Sequence, residues 1–473
     1  MVGLLKKTAP FILILLLVSC SSTNTSQKQY VEAEAYVKQR NYNAAAMTIE
    51  DVKGTAYKEK DRVLYYLDVG MLYHYAGRYE ESNTALTEAE YAIEELYTNS
   101  ISKSIGSGVL NDNARDYDGE IYEDLYLNVF KALNYIALGD TESALVEVRR
   151  LNNKMQLLQD KYDALYGEYS RSGEEQQVEL DKITNEFHNN ALARYLGVIL
   201  YRAMGDYDDA RIDREYFDKS FLSQPLLYPF PVVQAPDARP AEGTAIPVNV
   251  LAFTGQSPGK KSVTYYIDST AHQLHFTTVD QGEEDYLREL TDIDSFIVPG
   301  LSYGFHMKLQ FPKMFERDSG VDQIKVYGNG ELVGDLGLTE NIQLVAQATF
   351  AAELPLIVGK TVTRAIAKGI AKEVSQSATN SIIDDQIGGL GGELFKLAVG
   401  VASDVAVDAT ENADLRISNF FPAKAFTGEF YLEPGIYDFR IEYYRKGSLI
   451  FTDNLGEREI NRYNSILESV HMF

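Results

Sequence analysis

Between residues 30 and 221 the chain carries no proline, and six of its 13 prolines then fall between 225 and 247. Proline fixes φ and removes a backbone donor, so a stretch that long without one is free to be helical throughout. Apolar residues in it recur at three- and four-residue steps, the period of an amphipathic helix. Comparing the stretch with itself exposes repeats. One unit reads Gly70, Tyr73, Gly77, Tyr79, Ser82, Ala89 and a second Ala132, Tyr135, Gly139, Thr141, Ala144. A third carries Tyr201, Gly205, Tyr207, Ala210, and a weaker first has Tyr36, Arg40, Tyr42, Ala45. Such units cannot bury an apolar face alone and must stack.

The units resemble tetratricopeptide-type helix pairs. The Gly ends the first helix because it takes a left-handed conformation without a Cβ clash. The aromatic packs at the turn, and the small Ser or Ala lets the helices cross closely. Arg40 replaces the Gly in the first unit, and Val198 stands where the last would have a small residue. The turns at 40, 77, 139 and 205 are 37, 62 and 66 residues apart, against ~34 for a regular array, so insertions interrupt the stack. Residues 99–119, rich in Ser, Gly, Asn and Asp, predict a long loop. Met155, Leu158, Tyr162, Leu165 and Tyr169, a break at Ser172-Gly173, then Val178, Ile183 and Phe187 predict a protruding helical hairpin.

Residues 225–247 read as a Pro-rich extended linker that lets the C-terminal half sit independently. Beyond it the period changes to strands: residues 248–253, 263–267, 274–279, 303–311 and 324–327, with Gly328-Asn329-Gly330 as a hairpin turn. Residues 350–410 return to helix, dense in Ala and Gly, joined through 388–392. Lys360, Arg364, Lys368 and Lys372 interrupt the apolar character there, so the expectation is a helical hairpin on the β domain rather than a membrane span. The chain ends in strands at 426–432, 437–444 and 449–451. The fold class is therefore α+β: tetratricopeptide-like helices over 30–224, and a β-sandwich-like domain over 248–473 with a helical insertion at about 350–410.

The first 19 residues read as an address. Lys6 and Lys7 precede an apolar run, Ala9 to Val18, that is too short to span a membrane. Leu17-Val18-Ser19-Cys20 resembles a bacterial lipobox, and the chain's only Cys stands where that chemistry acylates the thiol. Residues 20–29 then form a flexible tether. Ser21 after the lipidated Cys implies, by resemblance to lipoprotein sorting, the outer membrane of a double-membraned cell envelope.

Charge and motifs exclude much else. A net charge of −25 argues against nucleic acid, because phosphate binding needs a basic face. One Cys leaves no disulfide framework or Cys-rich metal site. Gly255-Gln256-Ser257-Pro258-Gly259-Lys260-Lys261-Ser262 mimics a phosphate loop with its glycines too close, and reads as a loop between strands. His272 and His275 point to opposite faces of a strand, which disfavours a shared metal. No nucleophile motif emerges, so no catalytic residue, metal or cofactor is expected, and an envelope hydrolase stays an alternative.

The densest polar constellation is Asn111, Asp112, Tyr117, Glu123, Glu147, Arg149 and Arg150. Glu147 and Arg150, three apart on a helix, can pair while Arg149 faces elsewhere. The set is either a partner-recognition surface or an ion-pair network tying the long loop to its helix. Residues 111–150 and the later Ala409-Thr410-Glu411-Asn412-Ala413-Asp414-Leu415-Arg416, Phe421-Pro422-Ala423 and Pro434-Gly435 are similar to a family of bacterial lipoproteins with tetratricopeptide-like N-terminal halves. That resemblance implies architecture and supplies no activity. The expectation is a lipid-anchored, non-catalytic scaffold whose repeats form a concave surface for a protein or peptide, with a membrane-associated assembly through the Ala/Gly helices as a further alternative. Replacement of Cys20 by Ser is expected to abolish labelling by a fatty-acid probe and leave the precursor uncut, as read on a gel of whole cells.

Overall fold

The computed structural model describes residues 28–103, 115–171, 186–239, 243–270, 273–278, 280, 282, 286, 295–297, 306–377, 412–461 and 465–473. Eight of the helices among them form four pairs: α1 (Lys28–Lys38) with α2 (Tyr42–Asp51), α3 (Arg62–Tyr75) with α4 (Tyr79–Lys103), α5 (Ile121–Ala137) with α6 (Thr141–Arg171), and α7 (Ala191–Met204) with α8 (Tyr207–Ser223). Every turn that the repeats predict is left-handed, with φ of 59° at Arg40, 75° at Gly77, 78° at Gly139 and 84° at Gly205. A side chain at positive φ costs energy. Arg40 recovers it through contacts that no glycine could make. Its guanidinium lies 3.0 Å from Asp453 and 4.8 Å over the ring of Phe451.

The close crossings also obey the repeat. Ala45, Ala144 and Ala210 are fully buried, and Ser82 Oγ donates to the Gly70 carbonyl at 2.7 Å. In the last pair the small residue is Gly197, one position before Val198, where a Cβ would stand 2.0 Å from Asp213 Oδ2. Helix α4 runs to Lys103, so residues 99–103 are helical rather than loop, and 104–114 lie outside the described residues. Helix α6 forms the first arm of the expected hairpin; Val178 and Ile183 lie outside the described residues.

The remaining strands form two sheets. The larger has the order β10-β9-β6-β7-β8-β1-β11, with β1 (Ile246–Thr254), β6 (Gln323–Gly328), β7 (Glu331–Glu340), β8 (Lys424–Leu432), β9 (Gly435–Arg445), β10 (Ser448–Ile460) and β11 (Ile466–His471). Only β1 and β11 pair in parallel within it. The smaller, β4-β3-β2-β5, contains β2 (Gln256–Thr270), β3 (Gln273–Thr278), β4 (Ser295–Ile297) and β5 (His306–Arg317). The hairpin at Asn329-Gly330 has both residues at positive φ, 53° and 83°, as a two-residue turn needs. The phosphate-loop mimic is strand, not loop: β2 starts at Gln256, and the bend is confined to Gly255 at φ 67°.

Strand β1 is buried on both faces. Ile246, Val248, Val250 and Ala252 join Ile324, Val326, Phe439 and Ile441 in one apolar cluster. Leu251 and Phe253 point the other way, as the two-residue pleat requires, into a cluster that runs through the helices. The larger sheet curls until its edges meet, where Ser469 of β11 donates to Asp453 of β10 at 2.6 Å and Phe451 stacks on His471 at 4.5 Å. Helix α9 (Ile342–Ser377) is the insertion; its first half packs against α5, α6, β2 and β5. It begins eight residues earlier than expected, and its predicted partner, residues 394–409, lies outside the described residues.

The Pro-rich segment is not a free spacer. Leu227, Tyr228 and Ala235 are buried, Tyr228 donates to Glu340 at 3.0 Å, and the Asp237 N–H donates to Glu429 at 2.9 Å. Prolines set φ there, but Leu227, Tyr228 and Val233 between them turn apolar faces onto the core. The β domain is not independent either, since Phe130 of α5 sits 5.3 Å from Phe253 and 5.9 Å from Phe421. Replacing Gly197 with Ala must push Asp213 away from Arg194, its partner at 2.6 Å. Urea unfolding is expected to show a loss of about 1–3 kcal/mol, the usual cost of overpacking.

Candidate functional site

Residues 414–421 run through the seam between the repeats and the β domain without belonging to helix or strand. Backbone groups in such a buried segment need partners from elsewhere. The helices provide them. Asp68 of α3 accepts the Ser418 hydroxyl at 2.8 Å and the Asn419 N–H at 3.1 Å on one oxygen. Its other oxygen accepts the phenols of Tyr30 and Tyr57, each at 2.8 Å. Glu123 of α5 accepts the Ser418 N–H at 2.6 Å, the Tyr117 hydroxyl at 2.7 Å and, in a capping box, the Glu120 N–H at 2.8 Å. Tyr75 donates to the Phe420 carbonyl at 3.0 Å. Arg416, 2 % exposed, binds Asp61 at 3.0 Å, Asp414 at 2.6 Å and the Arg115 carbonyl at 3.0 Å, and lies over the Tyr117 ring. Glu120 pairs with Lys260 of β2.

This is how a receptor holds an extended peptide, with the peptide supplied by the same chain. Burial pushes Asp68 up to about 6, and burial with the Glu120 charge pushes Glu123 up to about 8. Burial also raises Glu120, and the Lys260 charge opposes the rise. Glu340 of β7, pushed by burial to about 7, makes a similar tie further along by accepting the Leu192 N–H at the start of α7 and the Tyr228 hydroxyl.

A separate ion cluster lies between α4, α5 and α6. Lys131, 1 % exposed, contacts Glu90 at 2.7 Å and Glu147 at 3.1 Å, and Lys154 bridges Glu90 and Asp124 at 2.8 and 2.7 Å. Asn128 donates to both glutamates. Burial pushes Glu90 upward, but Lys154 and Lys131 override it and hold the carboxyl at about 2.

The residues singled out from the sequence thus fall into separate places. Cys20, Asn111 and Asp112 lie outside the described residues. Tyr117 and Glu123 are buried against residues 414–421, and Glu147 is buried in the ion cluster. Arg150, 45 % exposed, reaches Glu90 at 3.2 Å and Glu147 at 3.9 Å. Arg149 turns outward, donating to the Tyr201 hydroxyl at 3.0 Å and lying over that ring. Asp61, Asp68, Lys260, Arg416 and Ser418 are the members that sequence reasoning missed. The available signal was Asp68 itself, a lone carboxylate within the otherwise apolar run of α3. Among the described residues, no group of three His, Cys, Asp or Glu is placed to hold a metal ion. Comparison with protein-family models, with curated proteins and with solved structures finds no match.

Arg416→Ala leaves Asp61 buried without its cation, so unfolding should show a loss of about 3–5 kcal/mol. The exposed Arg211–Glu215 pair should lose at most about 0.5 kcal/mol on the same truncation. The raised carboxylates also set a pH dependence. Asp68, Glu340 and Glu123 stabilise fully only below their unfolded values, and the contribution is lost as pH climbs through 6 to 8. Glu90, held near 2, works oppositely but only below the ordinary carboxylate range. Urea titrations should therefore show stability falling from about pH 5 to about pH 8.5, with a shallower slope in Asp68→Asn.

Proposed function

We propose that the protein is a scaffold of the bacterial cell envelope, anchored in the outer membrane by lipid on Cys20, that docks a protein or peptide without catalysing a reaction. Its work belongs to envelope assembly or to the regulation of peptidoglycan synthesis or export. Helical repeat pairs are the architecture suited to extended docking surfaces. The observation that carries the reading is which surface stays open. The first helices α3, α5 and α7 are largely buried beneath the β domain and residues 414–421. The outward faces of the second helices are not: Tyr91 of α4 and Val146 and Leu157 of α6 are 56, 46 and 60 % exposed. Arg149 and Arg150 lie beside them, and an arginine fork suits a partner carboxylate. The docking face is therefore the outer surface of α4 and α6 rather than a concave inner one.

One observation favours a second reading. Ile342–Val362 of α9 is long and apolar enough to cross a membrane, which supports a membrane-associated assembly. Over half of it is buried inside the protein, which favours its role as a core helix. A photo-crosslinking residue at Val146 or Leu157 in intact cells should capture one and the same protein, and Arg149→Glu with Arg150→Glu should abolish capture. The same probe at Leu332 or Ile436, exposed on the larger sheet, is the control. Equal products from the control positions, or none from α6, would sink the docking assignment. Capture of lipid alone, from α9, would favour the second reading.

A further inference from the structure

Near the end of α3 the seam carries a tie of a different kind. His74 is 2 % exposed and enclosed edge-on by Tyr75, Tyr79 and Phe130. Its Nδ1 lies 2.7 Å from Asn134 Oδ1 of α5, and its Nε2 lies 2.7 Å from Glu468 Oε1 of β11.

The proton positions are fixed by a chain of hydrogen bonds that starts at a group with no choice. The Gly70 carbonyl only accepts, so the Ser82 hydroxyl gives it its hydrogen at 2.7 Å. Ser82 Oγ is then the acceptor for Asn134 Nδ2 at 2.8 Å, and Nδ2 also donates to Asn83 at 2.9 Å. The Asn134 amide is thereby oriented with its oxygen toward His74, and Nδ1 must carry a hydrogen. A neutral ring would then turn the Nε2 lone pair toward a carboxylate. A proton on the Nε2–Oε1 axis removes that repulsion and makes the pair an imidazolium–carboxylate.

From this geometry we infer that His74 and Glu468 form a proton-operated clasp between the helical repeats and strand β11. With the proton in place, α3, α5 and β11 are joined through one ring. Without it, Nε2 and Oε1 repel, and β11, which among the described residues has only β1 as a ladder partner, loosens from the repeats. The titratable and charged groups around the pair are Tyr75 on α3, Tyr79 on α4, Tyr42 of α2 beside Tyr75, and Arg458 of β10 beside Tyr79. Burial pulls the imidazole down, but the Glu468 charge and the two hydrogen bonds override it, and the net direction is upward. The clasp's contribution is thus fully present below the ordinary histidine range and lost as pH rises through the folded value.

The test uses the full chain with ring-labelled histidine, followed by NMR, and with hydrogen exchange of residues 466–471 read by mass spectrometry and corrected for the intrinsic rate. His74 should remain imidazolium above the ordinary histidine range, and exchange in β11 should rise about tenfold as that ring titrates. In Glu468→Gln the amide can turn its NH₂ to Nε2, so the ring should release its proton at least about one pH unit lower. That variant and His74→Gln, which also assigns the resonance, should lack the rise in β11 exchange. A His74 that loses its proton within or below the ordinary histidine range, or β11 exchange that ignores its titration, overturns the clasp.

Discussion

Strand β1 is buried on both sides, and the larger sheet and the repeats close over it. One side is closed by the larger sheet curling until β10 meets β11. The other is closed by the helices of the repeats, with Phe130 packed against both Phe253 and Phe421. Full burial of each such ring is worth about 1.5–3 kcal/mol, enough to weld two regions of opposite periodicity into one core. An array of helix pairs would otherwise present those first helices to a partner. Here the internal need consumes that face, and the outward faces of the second helices are what stays exposed.

Covering the strand this way brings polar groups inside, and the seam shows how they are satisfied. Residues 414–421 have no ladder, so Asp68, Glu123 and Tyr75 take the place of a neighbouring strand. Asp68 and Glu123 each gather several donors, yet burial outweighs those hydrogen bonds and raises both carboxyls. The Glu90–Lys131–Glu147 cluster does the same between α4, α5 and α6. Removing one partner of such a buried pair leaves the other charge uncompensated, so these contacts hold helices and segment in this alignment.

Local features were readable one residue at a time. Gly77, Gly139 and Gly205 announce left-handed turns because no other residue reaches that conformation without strain. Asn329-Gly330 announces its hairpin for the same reason. The four-fold pairing of helices, the shift to strands and the α+β class come from periodicity, a property of neighbouring residues. Strand β11 escaped notice because it is short and its partner β1 is more than two hundred residues away. The packing of residues 225–239 escaped because proline content reports on φ and says nothing about what the side chains between the prolines touch.

The sequence by itself determined the helix pairs, most strands and the turns between them, each set by interactions within a few residues. Tertiary structure alone decided which faces are open. Glu123 and Glu147 could as well have faced a partner as the interior, and Asp61 and Arg416 pair across more than three hundred residues of chain. Their roles are set by the helices and the curled sheet converging on β1, and that convergence is the outcome of burying apolar area over the whole molecule. No window of neighbouring residues contains that sum.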